Sequence, residues 1–131
     1  METIGNHIQA ADWKSEKHVP VIEIDTPIVK NQPVSISLKV GAEIAHPNTT
    51  EHHIRWIQLY FKPEEEKFLI HLGTYNFDAH GESVKGTNEG SARCEPFVKT
   101  TVTLTSPGTL LALSYCNIHG LWENSMEVEI A

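Results

Sequence analysis

Apolar and polar residues alternate with a period of two along much of this chain. In Pro33–Val40, every second side chain is apolar, and Ser35, Ser37 and Lys39 fall between them. Such alternation predicts a β-strand with one face buried and the other in solvent. The segment Met126–Ile130 repeats the pattern, with acidic residues at the positions that face outward.

Five further segments of this kind are predicted to be strands. They are Val19–Asp25, Ile54–Phe61, Phe68–Leu72, Phe97–Thr105 and Thr109–Cys116. Turns rich in proline or glycine separate them, at Lys62–Glu64, Gly81–Gly90 and Ser106–Gly108. Only the region Thr3–Lys14 is predicted to form a short helix. About seven short strands joined by polar turns predict an all-β, immunoglobulin-like antiparallel β-sandwich.

Length and charge narrow the classes of protein to which the chain can belong. Its 131 residues fit one domain, 1–131, and the net charge of −7 without a basic run argues against nucleic acid or an anionic membrane as partner. Residues Met1–Asn6 show no basic or apolar region of a secretory signal, so none is predicted, and no segment is apolar enough to be predicted to span a membrane. We therefore expect a cytoplasmic location, where Cys94 and Cys116 are thiols rather than a disulfide.

Two segments far apart in sequence carry residue types that bind metals. His46 and His52 lie in the string HPNTTEHH, and Cys116 and His119 lie in the string CNIHGLW. A further imidazole, His18, directly precedes the first predicted strand. The predicted strands place all five side chains on connections at strand ends, where binding groups commonly lie. Four imidazoles and a thiolate suit a redox-active transition metal such as iron or copper.

The remaining histidines and the second cysteine are interpreted as ordinary residues. His53 should point away from His52 if both lie in a strand, and it is interpreted as a supporting or structural residue. Cys94 lies in a loop without ligand-type neighbours and is expected to be a free thiol. The histidines without partner spacing, which are expected at the surface or in the core, are His7, His71 and His80.

Three segments resemble the signature sequences of the superoxide reductase family. They are EKHVP at 16–20, HPNTTEHH at 46–53 and SYCNIHGLW at 114–122, and the resemblance extends over nearly the whole chain. Because no cysteine precedes Cys94, the resemblance is to the single-iron, neelaredoxin type of the desulfoferrodoxin family. Other members of that family carry an additional domain with a four-cysteine iron site.

The resemblance implies a mononuclear, non-haem iron centre that cycles between Fe2+ and Fe3+. The implied equatorial ligands are His18, His46, His52 and His119, and the implied axial ligand is Cys116. Glu16 would occupy the sixth position in the oxidised state. Lys17 would attract the anionic substrate and assist its protonation.

The reaction implied by the resemblance is the one-electron reduction of superoxide to hydrogen peroxide. The implied electron donor is a rubredoxin-type protein that docks near the metal. The resemblance leaves the oligomeric state open, with a homotetramer among the assemblies it implies. The fold it implies is the sandwich already predicted from the strand pattern.

Two other functions account for parts of the same pattern. In a cupredoxin-like electron carrier, Cys116 and His119 would bind copper with Met126 as a weak axial ligand. Against this, Met126 begins an alternating strand, and the chain offers two more histidines than blue copper uses. A structural zinc site would close with four ligands, which leaves a fifth ligand and the pair Glu16 and Lys17 without a role. Metal analysis separates the three alternatives.

Overall fold

The chain forms two antiparallel sheets with a shared hydrophobic core. We describe it from a computed structural model of residues 1–131. A 3-10 turn, Ile4–His7, precedes the strands β1 (Pro20–Glu23), β2 (Pro33–Val40), β3 (Ile54–Pro63), β4 (Ile70–Asn76), β5 (Phe97–Thr103), β6 (Gly108–Cys116) and β7 (Gly120–Val128). The strand orders are β1-β2-β5 in one sheet and β4-β3-β6-β7 in the other. The predicted seven-stranded immunoglobulin-like sandwich is confirmed.

Alternating residues of each strand build the core between the sheets. The fully buried side chains include Ile36 and Leu38 on β2, Ile57 and Leu59 on β3, and Leu110 on β6. Burial of such a side chain stabilises the fold by roughly 1.5–3 kcal/mol. Cys116 belongs to the inward row of β6, so the same alternation that fills the core carries this thiol to the end of the sandwich.

Strand β7 begins at Gly120, well before the predicted start at Met126. Its inward positions include Asn124, which donates a hydrogen bond from Nδ2 to the carbonyl of Pro20 at 3.0 Å. A polar residue at an inward position interrupts the apolar alternation from which the strand was predicted. The prediction therefore found only the C-terminal part of this strand, and its end at Ile130 was placed two residues beyond Val128.

Strand β4 lies further along the chain than predicted. The predicted segment began at Phe68, which is exposed and precedes the strand. A register shift between Leu59 and Tyr60 of β3 leaves Leu72 of β4 without a paired partner. Such a bulge destroys the strict period of two, which explains why the alternation gave the wrong bounds.

Of the short helix predicted at Thr3–Lys14, the structure has only the 3-10 turn Ile4–His7. Beyond the 3-10 turn, Gln9 forms a bridge to β7: its N–H donates to Leu121 at 3.0 Å, and its carbonyl accepts from Glu123 at 2.8 Å. These bonds require extended backbone, so a helix cannot continue there.

The turn predicted at Lys62–Glu64 starts later than predicted, because Lys62 and Pro63 still pair with β6. No helix of the chain has the length and apolar character of a membrane span.

The register brings the predicted metal ligands to one end of the sandwich. Pro20 pairs with Val40, so β1 begins where β2 ends, and Ile54 pairs with Cys116, so β3 begins where β6 ends. His18, the β2–β3 connection and the β6–β7 turn therefore lie at the same end.

Candidate metal centre

The ligand atoms of four side chains converge at this end of the sandwich. One ligand atom from each of His18, His52, Cys116 and His119 lies within 4.8 Å of the others. His18 Nε2 lies 3.1 Å from His119 Nδ1, and Cys116 Sγ lies 3.9 Å from the same nitrogen. Residues up to about a hundred positions apart in sequence thus direct nitrogen and sulfur atoms at a common point.

His46 adds a fourth imidazole beside this group. Its ring centroid lies 4.8 Å from the centroids of both His18 and His52. His46 Nδ1 donates to the carbonyl of Pro47 at 2.6 Å, which leaves the lone pair on Nε2. That Nε2 atom is buried without a hydrogen-bond partner, and the same holds for Nε2 of His52. Because buried polar atoms are rarely left unpaired, these nitrogens fit coordination of a metal ion.

The four imidazole rings form a closed four-sided arrangement. Neighbouring centroids, in the order His18, His46, His52 and His119, are 4.7 to 5.0 Å apart. The diagonal from His18 to His52 is longer, at 6.3 Å. Cys116 is completely buried, whereas His119 is exposed. The centre is therefore closed on the side of the thiol and accessible to solvent at His119.

Burial keeps two of these imidazoles in the neutral form that binds metals. It lowers the pKa of His46 to about 4, and the positive charges of His18, His52 and Lys17 act in the same direction. The pKa of His52 is also lowered, first by burial and then by the charges of His119, His18 and Lys17. A neutral imidazole offers a lone pair, so the centre does not need to lose a proton at these residues before it binds a cation.

Glu16 lies against His18 and outside the converging ligand atoms. Its Oε1 accepts a hydrogen bond from the backbone N–H of His18 at 3.0 Å and lies 2.6 Å from His18 Nδ1. Burial alone would raise the pKa of Glu16, but these bonds and the charges of His18 and Lys17 hold the pKa below its usual value. The carboxylate thus orients His18 so that Nε2 faces the other ligands.

Lys17 places a positive charge next to the centre. The side chain is half-buried, and its charge contributes to the lowered pKa values of Glu16, His46 and His52. Lys17 thus contributes a positive charge beside the centre although the whole chain is acidic, which favours approach of a small anion.

Two supporting residues complete the surroundings of the centre. Trp122 stacks on His18 with ring centroids 4.8 Å apart and planes inclined by 13°, and its Nε1 donates to the carbonyl of His119 at 3.2 Å. Ser114 is buried and donates from Oγ to the carbonyl of His18 at 3.2 Å. Ser114 was not predicted to support the centre. The alternation of β6 places Ser114 on the inward face, and this was the feature of the sequence that could have identified it.

The residues that a copper carrier would need do not assemble here. Met126 pairs with Leu110, at the far end of β6 from Cys116, and it packs against the hydrophobic core. The cupredoxin-like alternative is therefore not supported. Cys94 is half-buried and packs against the same core as a free thiol.

Comparison with known families bears on this arrangement directly. The family model described as desulfoferrodoxin matches residues 10–125 of the chain. This chain belongs to the desulfoferrodoxin family. The matched residues include all five side chains of the candidate centre.

Similar proteins cover the chain almost completely. Neelaredoxin from Megalodesulfovibrio gigas is 52% identical over 122 residues, which are 93% of this chain and 94% of that protein. Superoxide reductase from Pyrococcus furiosus is 51% identical over 126 residues, 96% and 99% of the two chains. A crystal structure from Thermotoga maritima superposes with a TM-score of 0.97 at 50% identity, and the match covers 100% of this chain and 99% of that one.

Proposed function

We propose that this chain is a superoxide reductase, which converts superoxide and two protons to hydrogen peroxide with one electron. The observation that carries the proposal is the four-sided arrangement of imidazoles around the buried thiol of Cys116. It occurs in a chain whose relatives of about 50% identity include named superoxide reductases. The function is thus an oxidoreductase activity with superoxide as substrate.

The metal we propose is one non-haem iron ion. The residues that would hold it are His18, His46, His52, His119 and the buried Cys116. When bound, iron would supply a one-electron couple and an open coordination position. Neutral imidazoles leave the positive charge of the ion largely uncancelled, and the thiolate makes the centre electron-rich. A structural zinc ion would use only four of these five groups.

Lys17 and Glu16 are the proposed catalytic residues beside the iron. The ammonium group of Lys17 attracts superoxide towards the side where His119 is exposed, and solvent on that side supplies protons. Glu16 is held by His18 through a half-buried contact. We propose that Glu16 would serve as an additional carboxylate ligand to the oxidised metal, beside the His18 that it contacts.

Partners, assembly and location belong to the same proposal. A rubredoxin-type protein is the proposed electron donor, because exposure of Ile118 and His119 lets a small redox protein approach close to Cys116.

A single domain over residues 1–131 is supported by the one core that both sheets share. A homotetramer is supported by exposed apolar residues at Phe68, Leu69 and Ile70. The free thiols favour the reducing cytoplasm.

The test is to mix the anaerobic, iron-loaded, reduced protein with a known amount of superoxide and to count products. A reductase yields one hydrogen peroxide per superoxide, evolves no oxygen and oxidises the iron in the same amount. Peroxide and oxygen in equal amounts, with iron returned to its starting state, would make the protein a dismutase. Unchanged iron would contradict both activities.

A further inference from the structure

Asn117 lies in the β6–β7 turn between Cys116 and His119, and its side chain binds the loop that carries His52. Its Oδ1 accepts a hydrogen bond from the backbone N–H of His53 at 2.9 Å, and its Nδ2 donates to the carbonyl of Glu51 at 2.8 Å. The backbone N–H of Asn117 also donates to the carbonyl of His53 at 3.2 Å. One residue therefore holds the backbone on both sides of His52.

The same loop is held from its other side by Asn88, a non-glycine residue with a φ of 66°. Asn88 Oδ1 accepts from the backbone N–H of Thr50 at 2.7 Å, and its Nδ2 donates to both carboxylate oxygens of Glu51 at 3.0 and 3.1 Å. Within the loop, three hydrogen bonds of 3.0, 3.1 and 3.3 Å join Thr49 and His52. The backbone that carries His52 is thus fixed from both flanks.

The ring of His52 differs from the rings of His18 and His46 in how it is oriented. The outer nitrogen of His18 contacts Glu16, and that of His46 donates to the carbonyl of Pro47. The His52 ring makes no hydrogen bond to the protein, and its Nε2 is buried without a partner. Ligating histidines normally have their outer nitrogen held by a second group. For His52, only the backbone is held.

We propose that Asn117 is a positioning residue, which sets His52 relative to Cys116 and His119 in place of a hydrogen bond to the ring. The role requires an acceptor and a donor on one short planar group, and asparagine provides both. Aspartate has the same shape but cannot donate to the carbonyl of Glu51. The inference rests on the proposed metal site, whose ligands it connects.

The test uses metal-free full-length protein and Co2+ alone as the probe metal. The variant Asn117→Asp removes one donor without a change in shape, and Asn76→Asp is the matched control, because the exposed Asn76 makes no side-chain hydrogen bond. We expect Asn117→Asp to weaken Co2+ binding by about 10- to 100-fold. Its ligand-field absorption should shift, while the thiolate-to-cobalt band of Cys116 remains. The control should match the parent in both.

A double-variant cycle shows whether Asn117 acts through His52. In a His52→Ala background, Asn117→Asp should change Co2+ affinity by less than about twofold, because the ligand it positions is absent. An equally large effect in both backgrounds would overturn the positioning role. Parental Co2+ affinity and spectra in Asn117→Asp would also overturn it. If metal-free Asn117→Asp loses its cooperative thermal unfolding, Asn117 is a structural residue, and the positioning role is likewise overturned.

The parent protein separates this inference from the proposed function. If the parent binds no Co2+ with a thiolate band, the metal site fails, and the proposed function and the positioning role fail with it. If the parent binds and Asn117→Asp binds equally well, only the positioning role fails.

Discussion

Two groups of histidines lie next to each other in this protein, and only one of them directs its ring nitrogens at a common point. In the first, His18, His46, His52 and His119 meet edge to face or tilted, with neighbouring centroids 4.7 to 5.0 Å apart. In the second, His53 and His80 stack face to face, with centroids 3.4 Å apart and planes inclined by 9°. Each group contains buried imidazoles, so residue type and burial alone do not separate the two, and the difference lies in geometry.

Geometry decides because the lone pair of an imidazole nitrogen lies in the plane of its ring. Rings that meet at steep angles can direct several lone pairs at one point, whereas stacked rings hold theirs in separate parallel planes. In the stacked pair, His53 Nδ1 donates to the carbonyl of Thr49 at 2.9 Å and His80 Nδ1 lies 3.4 Å from Glu82. His80 Nε2 is also buried without a partner, but no other free nitrogen converges with it. Convergence of nitrogens without other partners therefore identifies the metal site better than the number of histidines.

The largest expected effect comes from removal of the thiolate in the first group. Cys116→Ser should abolish the thiolate-to-metal charge-transfer absorption of the iron- or cobalt-loaded protein, because no other sulfur lies among the converging atoms. Cys94→Ser is the matched control and should keep the full band, since Cys94 packs against the core. The measurement is visible absorption at equal metal content. A band that survives in Cys116→Ser would remove Cys116 from the ligand set.

The next effect compares one histidine from each group. His46→Ala should weaken Co2+ binding by at least about 100-fold, more than the loss of a supporting contact, because it removes a ligand nitrogen. His80→Ala should leave the affinity within about twofold of the parent. Isothermal titration of the metal-free proteins measures both. Equal losses in the two variants would mean that the stacked pair contributes to binding and that convergence is the wrong criterion.

The sequence predicted the two groups of histidines to different extents. The convergent group was predicted as a set of ligands, because His18, His46, His52, Cys116 and His119 lie at strand ends and match a family pattern. The stacked pair was not predicted, since His53 and His80 come from separate loops and no spacing links them. The contact between Glu16 and His18 was not predicted either, because it depends on a local turn of the backbone. Sequence identifies which loops converge, but side-chain orientation within them depends on tertiary packing.

The same limit applies to the fold. The alternation of β2 and β6 predicted their bounds nearly to the residue, since every inward position is apolar or small. It failed where an inward position is polar, as at Asn124 of β7, and where a bulge breaks the period, as at Leu72 of β4. In both cases a tertiary contact or a register shift, rather than local preference, fixes the strand.

A smaller effect concerns the charge beside the first group. Lys17→Ala should slow the second-order reaction of the reduced protein with superoxide by about 3- to 10-fold at low salt, and the rate should depend less on ionic strength. The reason is that the charge of Lys17 lies beside the first group, where it lowers the pKa of His46 and His52. It does not contribute to the lowered pKa of His80. Lys85→Ala, in an exposed loop, is the control. Pulse radiolysis measures the rates, and a parental rate for Lys17→Ala would exclude steering by this residue.

The smallest effect is on the stability of the metal-free protein, and it tests whether one buried histidine from each group is held in the neutral form. Burial lowers the pKa of His46 to about 4 and also lowers the pKa of His80. In the unfolded chain, both histidines titrate near about pH 6.5. As the pH falls below that value, the unfolded chain takes up protons that the folded chain does not, so the free energy of unfolding decreases. Above it, both states are neutral and stability does not change from this cause.

For His46 alone, the loss is up to about 1.4 kcal/mol per pH unit between its unfolded and folded pKa values. Chemical denaturation of the metal-free protein at several pH values between about 7 and about 5 measures the slope. His46→Gln should reduce this slope by up to about 1.4 kcal/mol per pH unit, and His80→Gln by a smaller amount. A slope for His46→Gln equal to that of the parent would show that His46 is not buried as a neutral imidazole. The free Nε2 lone pair from which the metal site is inferred would then lose its support.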